Sequence, residues 1–332
     1  MKWNKFFNIF KEFSWIGIGQ IITIIGALFG VRILTSFLSP GQYGELALGM
    51  TVGTFIYTIF LGPLSNGISR YFSLANRKND TLNYLKAIQK IIFLICLLIF
   101  ILFIIGLFIL VSTGYSKWLW FLIASLIFGL FSSFNDIFNG IQNSTRNRSV
   151  VAFHKSLSTW LRFILAAIFM TSFGISSTSA MFGQAASMIL ILILQFYFLK
   201  YQLKKKEYLK PLNKKSQLDW QSLISSFSWP YTSWAVLSWL SKSADKWGLE
   251  LFSGNEAVGF FAILYQLGFY PMSLIIALIT SYLTPIYYDQ AGDGKNKLKL
   301  INLYYFGFRA FYLIFLILLI PVIISFNYHE II

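Results

Sequence analysis

The sequence carries little charge, a single cysteine and no motif of a soluble enzyme. Only 12% of its 332 residues are charged, about half the share of an ordinary soluble domain, and 57% are hydrophobic. The lone Cys96 excludes an internal disulfide, and His154, in a predicted cytoplasmic connection, and His329 lack the spacing of a metal site. No phosphate-binding loop motif occurs, which argues against direct ATP hydrolysis. We therefore expect no cofactor, no metal and no enzymatic activity.

Long apolar runs take the place of those features. A helix needs about 20 apolar residues to cross a bilayer. In the first run, Gly26 and Gly30 form a G-x-x-x-G pair, which permits close helix contact. The basic, aromatic start MKWNKFFNIFKEFSW is interpreted as an interfacial lead-in to this helix and not as a removable signal peptide. The sequence predicts nine transmembrane helices, at 14–38, 45–68, 90–112, 118–140, 157–174, 178–199, 222–244, 258–286 and 301–325.

Positive charge is distributed unevenly between the predicted helices. The net charge is +15, yet the connections SPGQYGE, STGYSKW, GISSTS and LFSGNEA together hold only one basic residue, Lys117. By the positive-inside rule the other, lysine- and arginine-rich connections face the cytoplasm, which places the N-terminus inside. Topology and contacts with anionic membrane lipids thus explain the basic residues, and we expect no nucleic-acid partner.

The longest basic connection divides the helices into two groups. KYQLKKKEYLKPLNKKSQLDW separates six helices from three. We predict an N-terminal lobe at 1–200, a basic cytoplasmic linker at 201–221 and a partial C-terminal lobe at 222–332. The predicted fold is all-α: a polytopic membrane helix bundle of about nine helices, in two pseudo-repeated lobes of which the second is incomplete.

Two short segments indicate an internal repeat. LSPGQYGELALG and FSGNEAVGFFAI share turn chemistry followed by an apolar helix, which aligns Gly44 with Gly259. With one inserted residue, Arg32 falls opposite Lys246. Both copies begin on the cytoplasmic side, so the repeat is parallel, and transporters of this construction bind substrate between the lobes near mid-membrane.

Several ionisable and polar side chains lie within or at the ends of the predicted helices. An Arg at the centre of a spanning helix costs roughly 2.5–3.5 kcal/mol, and such groups mark a functional site by default. Cations outnumber anions among them, which favours an anionic substrate. The candidate ion-coupling residues are Asp136 and Asp245. The candidate substrate-binding residues are Arg32, Asn66, Arg70, Lys242, Asp245, Lys246 and Arg309.

Structural explanations stay open for some of these groups. Asp136 can pair with Arg146 or Arg162, and Arg162 can itself extend to the same interface as Lys155. Asp245 can pair with Lys242 three residues before it on a helix. For Arg309 the structural and functional interpretations are balanced.

Four segments together resemble a known family. RILTSFLSPGQYGELALG, GPLSNGISRYFSLA, NDIFNGIQNSTRNRS and SADKWGLELFSGNEAVGFFAI are similar in order and spacing to the polysaccharide-transport branch (Wzx-type flippases) of the multidrug/oligosaccharidyl-lipid/polysaccharide exporter superfamily. The resemblance implies a two-lobed exporter of the bacterial inner membrane. It also implies a substrate, undecaprenyl-pyrophosphate-linked oligosaccharide, which is moved from the cytoplasmic to the periplasmic leaflet for surface polysaccharide such as O-antigen, capsule or exopolysaccharide.

The resemblance also implies roles for individual residues. Arg32 and Lys246 would line the cavity and neutralise pyrophosphate or an acidic sugar, and Asp245 would orient Lys246 or respond to a coupling proton. Membrane lipids and other polysaccharide-assembly membrane proteins are the implied partners. The sequence stops within the second lobe of that family, so we expect a C-terminally truncated member.

Two alternative functions remain. An integral-membrane polysaccharide polymerase is disfavoured because the outer connections are too short to present a catalytic site. A multidrug exporter of the same superfamily is disfavoured because organic cations suit acidic cavities, whereas this sequence has an excess of Arg and Lys within its helices.

Overall fold

A computed structural model gives the fold of the chain. It describes residues 2–114, 116–144, 147–205 and 218–291, together with Tyr305, Phe308, Arg309 and Tyr312. The ninth predicted helix therefore lies outside the described residues, apart from those four positions. All regular secondary structure in the described ranges is helical, which confirms the predicted all-α class.

The helices of the described ranges follow the predicted order. Six helical stretches are long and apolar enough to cross a membrane, which confirms the first six predicted spans. The bounds are α1 Lys2–Phe37, α2 Pro40–Ile56, a π-helix Tyr57–Leu61, α3 Gly62–Arg77, α4 Thr81–Ser112, a 3-10 turn Ser116–Trp118, α5 Leu119–Ser144, α6 Arg148–Phe173, α7 Ser177–Lys205 and α8 Trp220–Ala291.

The turn between α1 and α2 is tighter than predicted. Ser39 caps α2: its Oγ accepts the Gln42 N–H at 3.3 Å, and Gln42 Oε1 accepts the Ser39 N–H at 3.1 Å. This reciprocal pair is a capping box, and Pro40 supplies the preset φ favoured at the first helical position. Most of the predicted connection SPGQYGE therefore forms the first turns of α2. The prediction that this segment is a loop is wrong.

A single glycine separates the seventh and eighth predicted helices. They form α8, which breaks at Gly254, where φ is 79° and ψ is 177°. This region is costly for residues with a side chain. The two arms of α8, 220–253 and 255–291, face each other, since Lys246 Nζ lies 5.5 Å from the ring centroid of Tyr265. The predicted connection LFSGNEA is thus a one-residue turn between two helical arms, here called the first and second arm.

Glycines let α1 approach α6 closely. A Cβ added at Gly26 would lie 2.7 Å from Trp160 Nε1, and one added at Gly30 would lie 2.0 Å from Phe163 Cδ2. Trp160 Nε1 also donates to the Ile22 carbonyl at 3.2 Å. The close contact predicted from the G-x-x-x-G pair is confirmed. Because lipid is as apolar as these side chains, such close packing and hydrogen bonding hold membrane helices together.

Buried polar side chains join α5, α6 and α7. Gln195 Nε2 donates to Asn139 Oδ1 at 3.1 Å. His154 lies within α6, not in a connection as predicted; it is buried, and its Nδ1 is 3.3 Å from Gln142 Oε1. Inside a membrane such pairs satisfy polar groups that lipid cannot. They fix α1–α7 as the bundle against which α8 packs.

Both arms of α8 are anchored in the apolar core of the bundle. Val258 and Ala262 of the second arm pack with the core formed by α1, α2, α5, α6 and α7. Trp220 and Ile224 of the first arm pack with the core formed by α3, α4 and α5. The Trp220 indole also donates to Asp80 Oδ2 at 2.7 Å. The predicted division at 1–200, 201–221 and 222–332 stays a prediction, since 206–217 lie outside the described residues.

Candidate functional site

The two aligned glycines meet where α2 crosses the second arm. A Cβ added at Gly44 would lie 1.9 Å from the Asn255 carbonyl oxygen and 3.0 Å from Gly259 N. A Cβ added at Gly259 would lie 2.0 Å from the Pro40 carbonyl oxygen and 3.2 Å from Gly44 N. Gly44 thus approaches Gly259 and the residue four positions before Gly259, and Gly259 approaches Gly44 and the residue four positions before Gly44. This reciprocity is expected of a pair related by a two-fold axis, and it supports the predicted repeat.

A cavity of about 380 Å³ opens beside this crossing, between the bundle and α8. Its walls come from α1, α2, the π-helix, α6, α7 and both arms of α8. The lining residues are Leu34, Tyr43, Leu46, Ala47, Met50, Thr51, Thr54, Tyr57, Thr58, Arg162, Phe163, Gln184, Trp239, Lys242, Ser243, Lys246, Ala262, Tyr265, Gln266, Phe269 and Tyr270.

Three cations line the cavity. Arg162 comes from α6 of the bundle, and Lys242 and Lys246 come from the first arm, one helical turn apart. The described residues that line the cavity include no carboxylate. Helices on two sides of the half-open cavity therefore present positive charge to one space, which is an arrangement suited to an anion.

The cationic heads are held by aromatic rings. Arg162 Cζ lies 4.6 Å from the ring centroid of Phe163, and Lys246 Nζ lies 5.5 Å from that of Tyr265. Both distances are within the range of cation–π attraction. Arg162 Nε and Gln184 Oε1 are shielded from solvent and have no hydrogen-bond partner among the described residues. Two residues that line the cavity thus each carry a shielded polar atom without a partner among the described residues.

Thr51 fixes the first arm to α2. Trp239 Nε1 donates to the Thr51 carbonyl at 2.9 Å, and Trp247 Nε1 donates to Thr51 Oγ1 at 3.0 Å. Thr51 Oγ1 itself donates to the Leu48 carbonyl at 2.6 Å. Two indoles from one arm therefore share one acceptor residue, which sets the distance between Lys242 and the opposite wall.

The π-helix links the cavity to Asp136. Tyr57 lies at the start of the π-helix, lines the cavity, and donates its hydroxyl to Asp136 Oδ2 of α5. Ser65 of α3 donates to the Asp136 backbone carbonyl at 3.4 Å. Single-turn π-helices are frequent at functional sites because they redirect a side chain within a helix. Asp136 thus touches the cavity wall through Tyr57, and its predicted role in ion coupling stays a prediction.

Removal of the Tyr57 hydroxyl is expected to destabilise the bundle. Tyr57→Phe leaves the half-buried Asp136 carboxylate without its hydrogen-bond donor. This loss lowers the free energy of unfolding by about 1–3 kcal/mol, or by more when the unpaired group is charged. The thermal unfolding midpoint in detergent should fall, and Asp136→Asn, which keeps an acceptor, should lower it less. Ser112→Ala, at an exposed hydroxyl that bonds within its own helix, is the control. An unchanged midpoint for Tyr57→Phe would show that the bond does not stabilise the fold.

The structure brings only some predicted site residues together. Lys242 and Lys246 line the cavity. Asp245 is exposed beside Lys246 and is not among the lining residues. Arg32 is exposed on the face of α1 that also exposes Phe29, away from the lining residues.

The remaining predicted residues also lie apart from the cavity. Asn66 and Arg70 are exposed on α3, and Arg70 Cζ lies 4.2 Å from the ring centroid of Phe227 on the first arm. Arg309 is exposed in a helical segment. The binding roles of all three stay predictions. Sequence reasoning did not select Arg162, although its position near the middle of α6 is a signal that it could have used.

The family of the chain follows from its sequence profile. The profile of the polysaccharide biosynthesis protein family matches residues 9–289, which include every residue that lines the cavity. The chain belongs to this family. The predicted membership in a polysaccharide-transport family is thereby confirmed. No curated protein is similar enough to count as a match.

Solved structures show which fold this polysaccharide biosynthesis family member adopts. It is similar to MATE in complex with MaD3S, with a TM-score of 0.58 at 18% identity, over 90% of this chain and 70% of that one. It is similar to an outward-facing multidrug resistance MATE family transporter of the MOP superfamily, with a TM-score of 0.52 at 16% identity, over 90% and 68%.

A third similar structure comes from Pyrococcus furiosus. It is a MOP superfamily transporter whose reverse polarity of binding pocket suggests a different function, with a TM-score of 0.56 at 17% identity, over 90% of this chain and 68% of that one. At such identities the likeness shows the fold alone. This family member is therefore a multi-pass membrane protein with the helix bundle of MATE and MOP transporters.

Proposed function

We propose that this chain translocates undecaprenyl-pyrophosphate-linked oligosaccharide from the cytoplasmic to the periplasmic leaflet of a bacterial inner membrane. The product would feed the assembly of surface polysaccharide, such as O-antigen, capsule or exopolysaccharide. One observation carries the proposal: a cavity with Arg162 on one wall, Lys242 and Lys246 on the other, and no carboxylate among the described residues that line it. The transporter fold and the family membership support it.

The lining cations fit the chemistry of a pyrophosphate. A guanidinium offers a planar fork that matches two phosphate oxygens, and an ammonium offers a compact point charge. Charges attract more strongly in a poorly solvated cavity than in water. Because like charges on the two walls repel, an anion between Arg162 and Lys246 would stabilise their approach. The substrate would then bridge the bundle and α8.

The mechanism we propose is alternating access. The close approach of Gly44 and Gly259 lies at the predicted outer ends of α2 and the second arm, and in this mechanism it would close the cavity on the predicted periplasmic side. Separation of that crossing would release the head group outward while the polyprenyl tail stays in the bilayer. Asp136, which contacts the cavity wall through Tyr57, and Asp245, beside Lys246, are the candidates for ion coupling.

An exporter of organic cations is the weaker alternative. Its substrates would meet three positive side chains in the cavity and, among the described lining residues, no acidic group. The electrostatic cost of bringing a like charge into such a cavity opposes binding. The same walls that favour pyrophosphate therefore disfavour this class of substrate.

A transport assay with the whole chain tests the proposal. Proteoliposomes that contain the chain receive fluorescent undecaprenyl-pyrophosphate oligosaccharide, and a membrane-impermeant quencher reports its transfer between leaflets. We expect transfer well above that of protein-free vesicles, and none of a fluorescent organic cation. Transfer equal to that of protein-free vesicles, or transport of the cation instead, would overturn the proposed function.

A further inference from the structure

Three aromatic side chains form a strip along the second arm. Phe261, Tyr265 and Phe269 are spaced four residues apart, so they lie on one face of the helix over ~12 Å. The ring centroids of Phe261 and Tyr265 are 6.0 Å apart with 30° between their planes. Those of Tyr265 and Phe269 are 5.4 Å apart with only 11° between their planes. The three rings are here called the aromatic strip.

Two of the three rings in the strip belong to the cavity wall. Tyr265 and Phe269 line the cavity, yet they remain 39% and 42% exposed, so their surfaces are only partly covered by protein. The same arm also exposes Phe260 and Leu264, at 56% and 69%, but neither lines the cavity. One face of the arm therefore resembles a lipid-facing surface, and the neighbouring face presents two aromatic rings to the half-open cavity.

The middle ring of the strip lies beside the cationic group. Lys246 Nζ lies 5.5 Å from the Tyr265 ring centroid, which places a positive charge directly beside the strip. Polar groups accompany the rings: Tyr270 donates its hydroxyl to Gln266 Oε1 at 3.0 Å, and both residues line the cavity. Lys246 of the first arm thus faces a second arm that carries ring surfaces together with amide and hydroxyl groups.

We propose that the aromatic strip is a glycan subsite, in which pyranose rings lie against Tyr265 and Phe269 while the attached pyrophosphate is held at Lys246. The inference rests on the proposed function and extends it to the sugar. A pyranose ring has apolar C–H faces and a polar rim, so it can pack on an aromatic surface while its hydroxyls bond to groups such as Gln266. Ligand sites commonly combine such apolar walls with a few placed polar groups.

The order of groups in the ligand matches the spatial order of Lys246, Tyr265 and Phe269. In a pyrophosphate-linked oligosaccharide the first sugar is bonded directly to the anion, so a sugar surface must lie next to the cation site. Tyr265 meets this requirement because it contacts Lys246 and lines the cavity. Contact through ring surfaces recognises the shape of a pyranose more than its substituents. The strip would therefore accept successive sugars of different identity.

Binding of two probe lipids tests the subsite. One probe is undecaprenyl pyrophosphate linked to an oligosaccharide, and the other is undecaprenyl pyrophosphate without sugar. Affinities are measured for the whole chain in nanodiscs, for the double variant Tyr265→Leu/Phe269→Leu and for Phe260→Leu as a matched control on the same arm. We expect the double variant to weaken binding of the glycosylated lipid roughly tenfold more than binding of the sugar-free lipid, which loses only the support that Tyr265 gives to Lys246.

Two further variants separate the contribution of the cation from that of the aromatic rings. Lys246→Ala should weaken both probes, and Tyr265→Trp/Phe269→Trp, which keeps aromatic surfaces, should retain binding of the glycosylated lipid. Equal affinity losses for both probes in the leucine double variant, or no loss for either, would overturn the subsite alone. A wild-type chain that binds neither lipid would overturn the proposed function together with it.

Discussion

Gly44→Val is expected to separate the second arm from α2. The added Cβ would lie 1.9 Å from the Asn255 carbonyl oxygen, whereas an ordinary contact is about 3.5 Å. The obstructing atom is backbone, so a side-chain rotation cannot relieve the clash and the arm itself must shift. Overpacking of this kind costs about 1–3 kcal/mol, enough to shift the balance between joined and separated arrangements by roughly 5- to 150-fold.

A cysteine pair across the crossing measures this separation. A Cβ at Gly41 would lie 3.6 Å from Glu256 Cγ, so Gly41→Cys/Glu256→Cys, in a chain with Cys96→Ser, should cross-link readily with a short bifunctional thiol reagent. We expect the cross-link to be lost with Gly44→Val and with Gly259→Val. Gly248→Val is the control, because a Cβ there meets nothing within 4 Å. If Gly44→Val cross-links as well as that control, the crossing does not require a residue without a side chain at position 44.

The path of the helices could be predicted from sequence, since long apolar runs and basic connections report membrane spans directly. Which side of α1 is buried and which is exposed could not be predicted. Ile18, Ile25, Phe29 and Arg32 are all exposed on one side of α1. The residues on its buried side, such as Val31, are equally apolar, so hydrophobic periodicity carries no signal about orientation. Reasoning from insertion cost identified Arg32 as unusual, but it could not say which way the residue faces.

The cavity residues were predictable only in part, because several depend on contacts between distant segments. Lys246 was found through its alignment with the first helix. The sequence allows Arg162 to extend to the membrane interface, and it does not reveal that α6 places this residue opposite the first arm. The Tyr57–Asp136 bond joins residues 79 positions apart across a π-helix, and no local pattern announces a π-helix. The Gly44–Gly259 contact, in contrast, follows from the repeat, because equivalent positions can meet on a two-fold axis.

Arg162→Ala is expected to have the largest effect on substrate binding. If the guanidinium bonds pyrophosphate oxygens, its removal forfeits a charge-assisted interaction of about 1.5–3 kcal/mol, which is roughly a 10- to 150-fold loss of affinity. Arg162→Lys should recover part of the affinity, since it restores the charge without the bidentate fork. Affinity for undecaprenyl pyrophosphate, measured in nanodiscs, reports the change without requiring transport.

Arg32→Ala provides the decisive comparison, because it removes an arginine of the same charge that does not line the cavity. Arg32 lies five residues before Phe37, the last residue of α1, about 7.5 Å along the helix axis. Its long side chain can reach the membrane interface from there. If the cavity is the anion site, Arg32→Ala should leave the affinity near that of the wild type. A large loss with Arg32→Ala and none with Arg162→Ala would instead place the anion on the exposed face of α1, and the cavity would no longer explain the excess of positive charge within the helices.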